Sequence, residues 1–427
     1  MRKSNRYFLY TAILLFLSLI LMRDIAEVAI PGPIVAGFAA LFAIMLKKRD
    51  LYSFTYFLLP LSVGIPGYTF LLLGLILLVR QRGGNVKQFI PFVILAFLEI
   101  FNVAGYDFQY DITGVISFLS FLFLFFLLLF SNDKSIDRRQ SLLCYSFGAA
   151  FALIIAYLRI IIDSGFAALV AGDLRSGAGM GNYDNEQMMN HLMMNANCIA
   201  YYAITLISIA FVFLNRNICN KWLSVLFILI GAASGLLSFS RTWVLLFIVV
   251  ILWYVYCNNH NLKSILALIF TCGVLFAVGM YSGVLDGIIE VFEFRMENDN
   301  IQSAGGRLPL FKAYNEFMKS DFWYILFGTG ATYYKQVCHI WNSVHNGTQQ
   351  IFVSFGIVGL LTYLITVIAF VKNYVKFKVK DNLILFTPFL ACFIFVQSIQ
   401  FLNPYPLMLP FVAAACMIRL NENRISA

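Results

Sequence analysis

Long apolar runs recur along this chain and constrain its fold more than any other feature. They begin near residue 7 and return until residue 420, separated mostly by short polar segments. The mean hydropathy is +0.83 and only 12% of the residues are charged, a balance that soluble domains do not have. Because a membrane-spanning helix needs about 20 apolar residues, we predict an all-α polytopic membrane protein with about 12–14 transmembrane helices. We place them near 7–22, 28–46, 51–63, 66–79, 89–104, 112–130, 142–161, 194–214, 222–239, 242–256, 264–281, 348–370, 383–401 and 406–420.

The basic residues predict how these spans are oriented. Most of the 30 Lys and Arg residues lie in alternate short segments, as in membrane proteins whose cytoplasmic loops are basic. We therefore predict that both termini are cytoplasmic, and that the chain crosses twice over 51–79. The start of the chain has basic residues before an apolar core but no small-x-small cleavage site, so we interpret it as the first span. The positive charge is thus explained without nucleic acid, and we expect no nucleic-acid partner.

The predicted organisation is one membrane domain, 1–427, with outer loops at 163–193 and 282–347. In the longer loop, apolar residues recur with a helical period over 285–296, and the acidic residues of 286–299 form the other face. This pattern predicts a short amphipathic helix. Gly305 and Gly306 end that helix, and Pro309 suits the first turn of a second one. Tyr314 and Met318 lie on the apolar side of this second helix.

Arg241, Arg307 and His345 are candidate site residues in outward-facing segments. A planar guanidinium grips phosphate oxygens with paired donors, and a neutral imidazole can accept a proton from a sugar hydroxyl. The alternatives remain open from the residues alone. Each arginine could contact lipid headgroups or solvent, and the histidine could cap the next helix. Asn195 and Asn197 could likewise cap a helix or bind a substrate.

Two charged residues, Glu99 and Arg159, fall inside predicted spans. Charged groups at that depth pair with a partner or line a cavity, and the sequence does not say whether these two meet. The cysteines and histidines of the outer loop have no standard zinc spacing. We therefore expect neither a metal site nor a cofactor.

Four motifs, in order along the chain, resemble the bacterial O-antigen polymerase and O-antigen ligase superfamily. They cover about 175–360, and all lie on one predicted side of the membrane. The final motif is similar to the family's His-Asn/Ser signature, which ends in Gly-x-x-Gly. An upstream loop also resembles the family's, although it is longer and lacks the usual Asn-Pro-Asn. The four motifs are Arg175-Ser176-Gly177 leading to Asn195-Ala196-Asn197, Ser240-Arg241, Gly306-Arg307 leading to Phe327-Gly328-Thr329-Gly330, and His345-Asn346 with Gly356 and Gly359.

The resemblance implies a metal-independent, inverting glycosyltransferase with a GT-C-like fold in the bacterial cytoplasmic (inner) membrane. Its donor would be an undecaprenyl-diphosphate-linked oligosaccharide in the membrane lipid. By the resemblance, Arg241 and Arg307 hold the diphosphate and His345 activates the acceptor hydroxyl. The looser matches are substrate-binding candidates: Arg175, Arg295, Asn195, Asn197 and Asn346. A chain-length regulator and a flippase are further candidate partners.

Three functions fit this interpretation. The favoured one is a polymerase that joins lipid-linked repeat units into O-antigen or capsular polysaccharide. An O-antigen ligase, which transfers the glycan to lipid A-core, shares the signature around His345. A flippase or transporter fits less well, because transporters carry repeated halves and charges near the membrane midplane. Here the polar residues are concentrated in the outer loops.

Overall fold

The computed structural model describes residues 3–81, 89–131, 136–170, 192, 194–257, 307–374, 380–402 and 406–420, together with the single positions 273, 281 and 289. These residues form α-helices and two 3-10 helices, Leu59–Gly64 and Lys380–Phe386, and no strand. The all-α fold class is therefore confirmed. The α-helices are α1 Lys3–Asp24, α2 Gly32–Met45, α3 Lys48–Leu58, α4 Gly67–Arg80, α5 Ile90–Ala104, α6 Ile112–Leu129, α7 Arg138–Val170, α8 Ala196–Arg216, α9 Lys221–Leu237, α10 Arg241–Cys257, α11 Arg307–Lys319, α12 Phe322–Phe327, α13 Tyr334–Val337, α14 Gly347–Tyr374, α15 Thr387–Val396 and α16 Met408–Ile418.

Five helices of the described residues are long and apolar enough to cross a membrane: α1, α6, α7, α8 and α14. Seven further apolar helices have 10–17 residues, and at 1.5 Å per residue they rise less than the ~30 Å of a hydrocarbon core. The total of about 12–14 crossings therefore stays a prediction. The predicted span 264–281 and the predicted helix over 286–299 lie outside the described residues, apart from single positions.

The segment 51–79 forms two helices, α3 and α4, separated by the 3-10 helix Leu59–Gly64. Pro66 is the N-cap of α4. All of α3 from Asp50 to Leu58 is buried, and it packs against α7 at Gly148, where a Cβ would lie 2.2 Å from the Phe57 carbonyl oxygen. α3 is therefore an internal element, surrounded by protein.

Helix α8 is the centre of the bundle. Its residues from Cys198 to Phe213 are all buried, and α7, α9, α10, α15 and α16 pack around it. Tyr201, near the start of α8, has its ring 5.6 Å from that of Phe395 at the end of α15. The two helices are therefore antiparallel.

Hydrogen bonds between neighbouring helix ends define the two ends of the bundle. At one end, Arg80 donates to the Ile44 carbonyl at 2.5 Å and Gln81 donates to Ser131 at 3.0 Å. These bonds join the ends of α2, α4 and α6. The opposite end, called the site end below, contains the start of α8, the end of α15 and the start of α14. Which end faces the cytoplasm stays a prediction.

Candidate functional site

Arg241 is placed by a sharp turn between α9 and α10. Phe239, within this turn, is buried and has a φ of 50°, a left-handed conformation that costs a bulky residue about 1–3 kcal/mol. The helices touch closely beside the turn, since a Cβ on Gly235 would lie 1.9 Å from the Trp243 ring. Ser238 closes the turn by donating to the Gly235 carbonyl at 2.6 Å. Arg241 thus begins α10 in a position that the surrounding packing fixes.

Arg307 is the first residue of α11, the second loop helix that the sequence predicts. Tyr314 and Met318 of α11 are buried, as its apolar face requires. The Tyr314 hydroxyl donates to the Asn342 carbonyl at 2.7 Å, and the Gln349 side chain in α14 donates to the Phe311 carbonyl at 2.9 Å. These bonds hold α11 against the start of α14, beside His345.

His345 lies just outside α14 and close to Arg307. Burial, and then the positive charge of Arg307, lower the pKa of His345 from 6.5 to about 4. The imidazole is therefore neutral at pH 7. Its buried Nδ1 atom forms no hydrogen bond with any described residue.

Two of the candidate asparagines cap helices. The Asn346 side chain accepts from the Gln349 backbone N–H at 2.8 Å and donates to the Gln397 carbonyl at 3.0 Å. The Asn195 side chain accepts from the Cys198 backbone N–H at 2.8 Å. Capping is therefore the role of both in the fold; the sequence left this alternative open for Asn195, whereas for Asn346 it was not expected. A substrate-binding role for these two and for Asn197 at the start of α8 stays a prediction.

The turn at Gly328 and Gly330 docks against a kink in α14. Gly356 breaks this helix with a φ of 61°, which releases carbonyl groups from the helical hydrogen-bond pattern. The backbone N–H of Thr329 donates to the Val353 carbonyl at 2.9 Å, and that of Gly330 donates to the Ser354 carbonyl at 2.7 Å. Gly328 and Gly356 both have a positive φ, and a Cβ on either would lie 2.3 Å from the facing backbone. The glycines of the two motifs therefore form one joint.

Glu99 anchors the same loop segment from α5. Its buried carboxylate accepts from the backbone N–H of Ala331 at 2.5 Å and of Thr332 at 3.0 Å, and from the Thr332 hydroxyl. Asn102, on the same helix, donates to the Phe327 carbonyl at 3.1 Å. The sequence indicates a buried charge at Glu99 but gives it no partner, because the partner lies in a distant loop.

Arg159, the other charge predicted inside a span, has different partners. It forms ion pairs with Glu27 at 2.7 Å and Asp163 at 2.9 Å. It also donates to the carbonyl of Asp24, at the end of α1, at 3.3 Å. Glu99 and Arg159 therefore do not neutralise each other, and Arg159 joins α1 and α7 at the site end.

An apolar cleft runs into the bundle below His345. Its lining follows α14 from Ile351 to Phe370. A straight helix would rise about 28 Å between these positions, and the kink at Gly356 shortens that span. The cleft therefore lies along α14 and begins about one helical turn after the first residue of that helix. Its other lining residues are nearly all apolar and include Leu95, Leu122, Phe125, Phe401 and Met408.

The structure brings the best-supported candidates to one end of the bundle. Arg307 and His345 are neighbours, as the charge effect of one on the other shows. Arg241 lies at the same end because α8 begins there, α9 packs along α8 and returns towards that end, and Arg241 follows the turn after α9. His339 is exposed. Two candidates, Arg175 and Arg295, lie outside the described residues.

The fold and this site define a class: a multi-pass α-helical membrane protein with a paired arginine and neutral histidine at one end of its bundle. Residues 224–364 match a family described as O-antigen ligase. The match confirms the resemblance to the O-antigen polymerase and ligase superfamily, and it includes Arg241, Arg307 and His345. No curated protein and no solved structure matches the chain.

Proposed function

We propose that this protein polymerises oligosaccharide repeat units linked to a polyprenyl diphosphate into O-antigen or capsular polysaccharide. The family match supports enzymatic processing of a lipid-linked oligosaccharide. The observation that carries the proposal further is that Arg307 lies near enough to His345 to lower its pKa, which burial and this charge bring to about 4. Such a pair supplies an anion-binding group and a proton acceptor side by side, as transfer of a sugar from a diphosphate requires.

The proposed chemistry is an in-line displacement at the anomeric carbon. The acceptor hydroxyl oxygen forms the new bond, its proton passes to His345, and the bond to the diphosphate oxygen breaks, which inverts the anomeric centre. Arg241 and Arg307 stabilise the leaving diphosphate, because positive groups placed where charge develops lower the barrier. We propose that this stabilisation needs no metal ion.

Donor binding would also change the pKa of His345, the proposed base. Arg307 contributes to the low pKa of His345 in the free protein. A diphosphate bound to Arg307 offsets that positive charge, so it raises the pKa of His345 towards the pH of the reaction, where a general base works best. His345 then faces the acceptor, with the anomeric carbon between it and the arginines.

The apolar cleft supports a lipid-linked donor. Its lining from Ile351 to Phe370 is nearly all apolar, so it offers hydrocarbon contacts to a polyprenyl chain. A polyprenyl chain in this cleft would present its diphosphate at the site end. The burial of the chain would add affinity in proportion to the apolar area that it covers.

Substitution of the arginines tests the proposal. We expect Arg241→Ala and Arg307→Ala to abolish long-chain product in a deletion strain while the protein still inserts. Arg→Lys at either position should restore little, because lysine lacks the paired donors. The measurement is the surface polysaccharide of complemented cells, followed by assay of the purified protein with lipid-linked donor in excess chelator. Normal polymerisation by both alanine variants would refute the diphosphate site, and activity that needs an added divalent ion would refute metal independence.

An O-antigen ligase is the second candidate function, and the description of the matching family favours it. The deletion strain separates the candidates. A polymerase mutant shows single repeat units on the lipid core, whereas a ligase mutant accumulates long lipid-linked chains above a bare core. Repeat units trapped on the inner face of the membrane would instead indicate a flippase.

A further inference from the structure

The loop between α5 and α6 alternates aromatic and polar residues. Tyr106, Phe108 and Tyr110 alternate with Asp107, Gln109 and Asp111, and every one of these except Tyr106 is exposed. Phe108 and Tyr110 are 37% and 38% exposed, so part of each side chain is accessible to a ligand.

The rings of this loop form one cluster with Tyr333 of the outer loop. Tyr106 and Phe108 are stacked, with their centroids 4.7 Å apart and their planes at 18°. Tyr333 lies 6.2 Å from Tyr106, 5.9 Å from Phe108 and 6.2 Å from Tyr110. We call these four residues, Tyr106, Phe108, Tyr110 and Tyr333, the aromatic platform.

Hydrogen bonds fix the platform in place. The Tyr106 hydroxyl donates to the Thr329 carbonyl, and the Tyr333 hydroxyl donates to the Asp111 carbonyl at 2.7 Å. The Asp111 side chain caps α6 by accepting from the Thr113 backbone N–H at 2.8 Å. A surface held this way loses little conformational freedom when a ligand binds.

The platform is continuous with the candidate site. Tyr333 immediately precedes α13, and the ring of Tyr334 lies 5.9 Å from that of Tyr314 in α11. Tyr314 in turn holds the 340–342 segment that leads to His345. Buried contacts therefore connect the platform to the segment that precedes His345.

We propose that the aromatic platform binds sugar rings of the oligosaccharide. The C–H faces of a pyranose carry partial positive charge and stack on the negative face of an aromatic ring. The exposed carboxylate of Asp107 and the exposed amide of Gln109 alternate with the rings and can bond the sugar hydroxyls. The inference rests on the proposed function, since it takes the glycan of that substrate as the ligand.

The charge of the loop favours a sugar over lipid headgroups. Aromatic residues also anchor membrane proteins at the interface, where they face lipid phosphates. Asp107 and Asp111 would repel those phosphates, whereas a carboxylate attracts the hydroxyl donors of a glycan.

A binding measurement tests the platform apart from catalysis. The probe is the lipid-free oligosaccharide released by mild acid from the surface polysaccharide of the source strain. It is titrated against the purified full-length protein in lipid nanodiscs, and saturation-transfer NMR reports binding. We expect the double variant Phe108→Ala, Tyr110→Ala to bind about tenfold more weakly, because two stacking contacts are lost.

The controls separate stacking from folding and from catalysis. Phe108→Tyr should keep the affinity, because it keeps a ring, and so should Trp341→Ala, which removes a 79% exposed ring outside the platform. The assay measures binding of a lipid-free glycan without turnover, so failure of the proposed chemistry would leave the platform result intact. Unchanged affinity in the double variant, or no binding to the wild-type protein, would overturn the inference. Lower thermal stability in nanodiscs with unchanged affinity would identify the rings as a membrane anchor and overturn it equally.

Discussion

His345 shows how one residue acquires a role from its surroundings. Its sequence neighbours suggest a helix cap, but Asn346 performs that function. Burial and the nearby charge of Arg307 keep the imidazole of His345 neutral. The structure thus leaves His345 available for proton transfer.

Substitution of His345 should affect turnover more than donor binding. We expect His345→Ala to reduce turnover by about 10²–10⁴-fold, the effect of a lost general base. His345→Gln should be nearly as poor, because an amide forms hydrogen bonds but does not accept the proton. Single-turnover and donor-binding assays on purified protein measure the two effects separately.

The matched control is His339→Ala. His339 is exposed in the same loop, and its loss should leave turnover unchanged. Wild-type turnover in His345→Gln would show that His345 only forms hydrogen bonds and that the base lies elsewhere.

The protonation of His345 gives a second prediction. In the free protein its pKa should be about 4, and Arg307→Ala should raise this pKa but keep it below 6.5, because burial is the larger cause. NMR titration of labelled histidine, assigned with His345→Gln, measures both values. Since the neutral form is the base, kcat/KM should fall only as the pH drops towards the pKa of the free protein. A wild-type pKa near 6.5 would contradict this description of the site.

At the scale of elements, two of the contacts between the loop and the bundle hold the segment around Gly330. One is the joint between the Gly328 turn and the kink of α14 at Gly356. The other is the carboxylate of Glu99 in α5. The two contacts hold the segment between α12 and α13, which in turn supports both the platform and the approach to His345.

Removal of the Glu99 carboxylate should loosen this segment. Glu99→Ala leaves the backbone N–H groups of Ala331 and Thr332 without their acceptor, which should cost about 2–4 kcal/mol of the free energy of unfolding. Glu99→Gln keeps an acceptor oxygen and should lose less. Thermal unfolding in detergent compares the two, and limited proteolysis reports opening of the loop. Equal stability of Glu99→Ala and the wild type would show that the anchor contributes nothing.

At the scale of the whole molecule, the described candidate residues lie at one end of the bundle. Labelling should show that this end faces outwards. We expect cysteines introduced at Asn132 and Asp299, in a background without the native cysteines, to react from opposite sides of the membrane. Asn132 should be cytoplasmic because its segment is basic. Labelling of both from one side would contradict the orientation and the number of crossings.

The sequence by itself determined where most of the described helices lie and which residues are candidates for the functional site. Apolar runs require helices in a membrane, because no water satisfies the backbone there. The period of apolar residues placed the buried face of α11, with Tyr314 and Met318 inward. The motif order identified Arg241, Arg307 and His345 before any contact was known, because each residue type has a limited chemistry. The sequence patterns did not single out the aromatic platform, although aromatic and polar residues alternate visibly over 106–111.

Only the tertiary structure decided which of these residues meet. Glu99 and Ala331 are 232 positions apart, and no local pattern specifies such a bond, because it depends on how α5 and the loop pack. The same holds for the burial of α3, which depends on the helices that enclose it. The pKa of His345 likewise depends on burial and on Arg307 across the loop. Burial and charge act through space, so they are set when the helices have packed, and the sequence alone does not determine them.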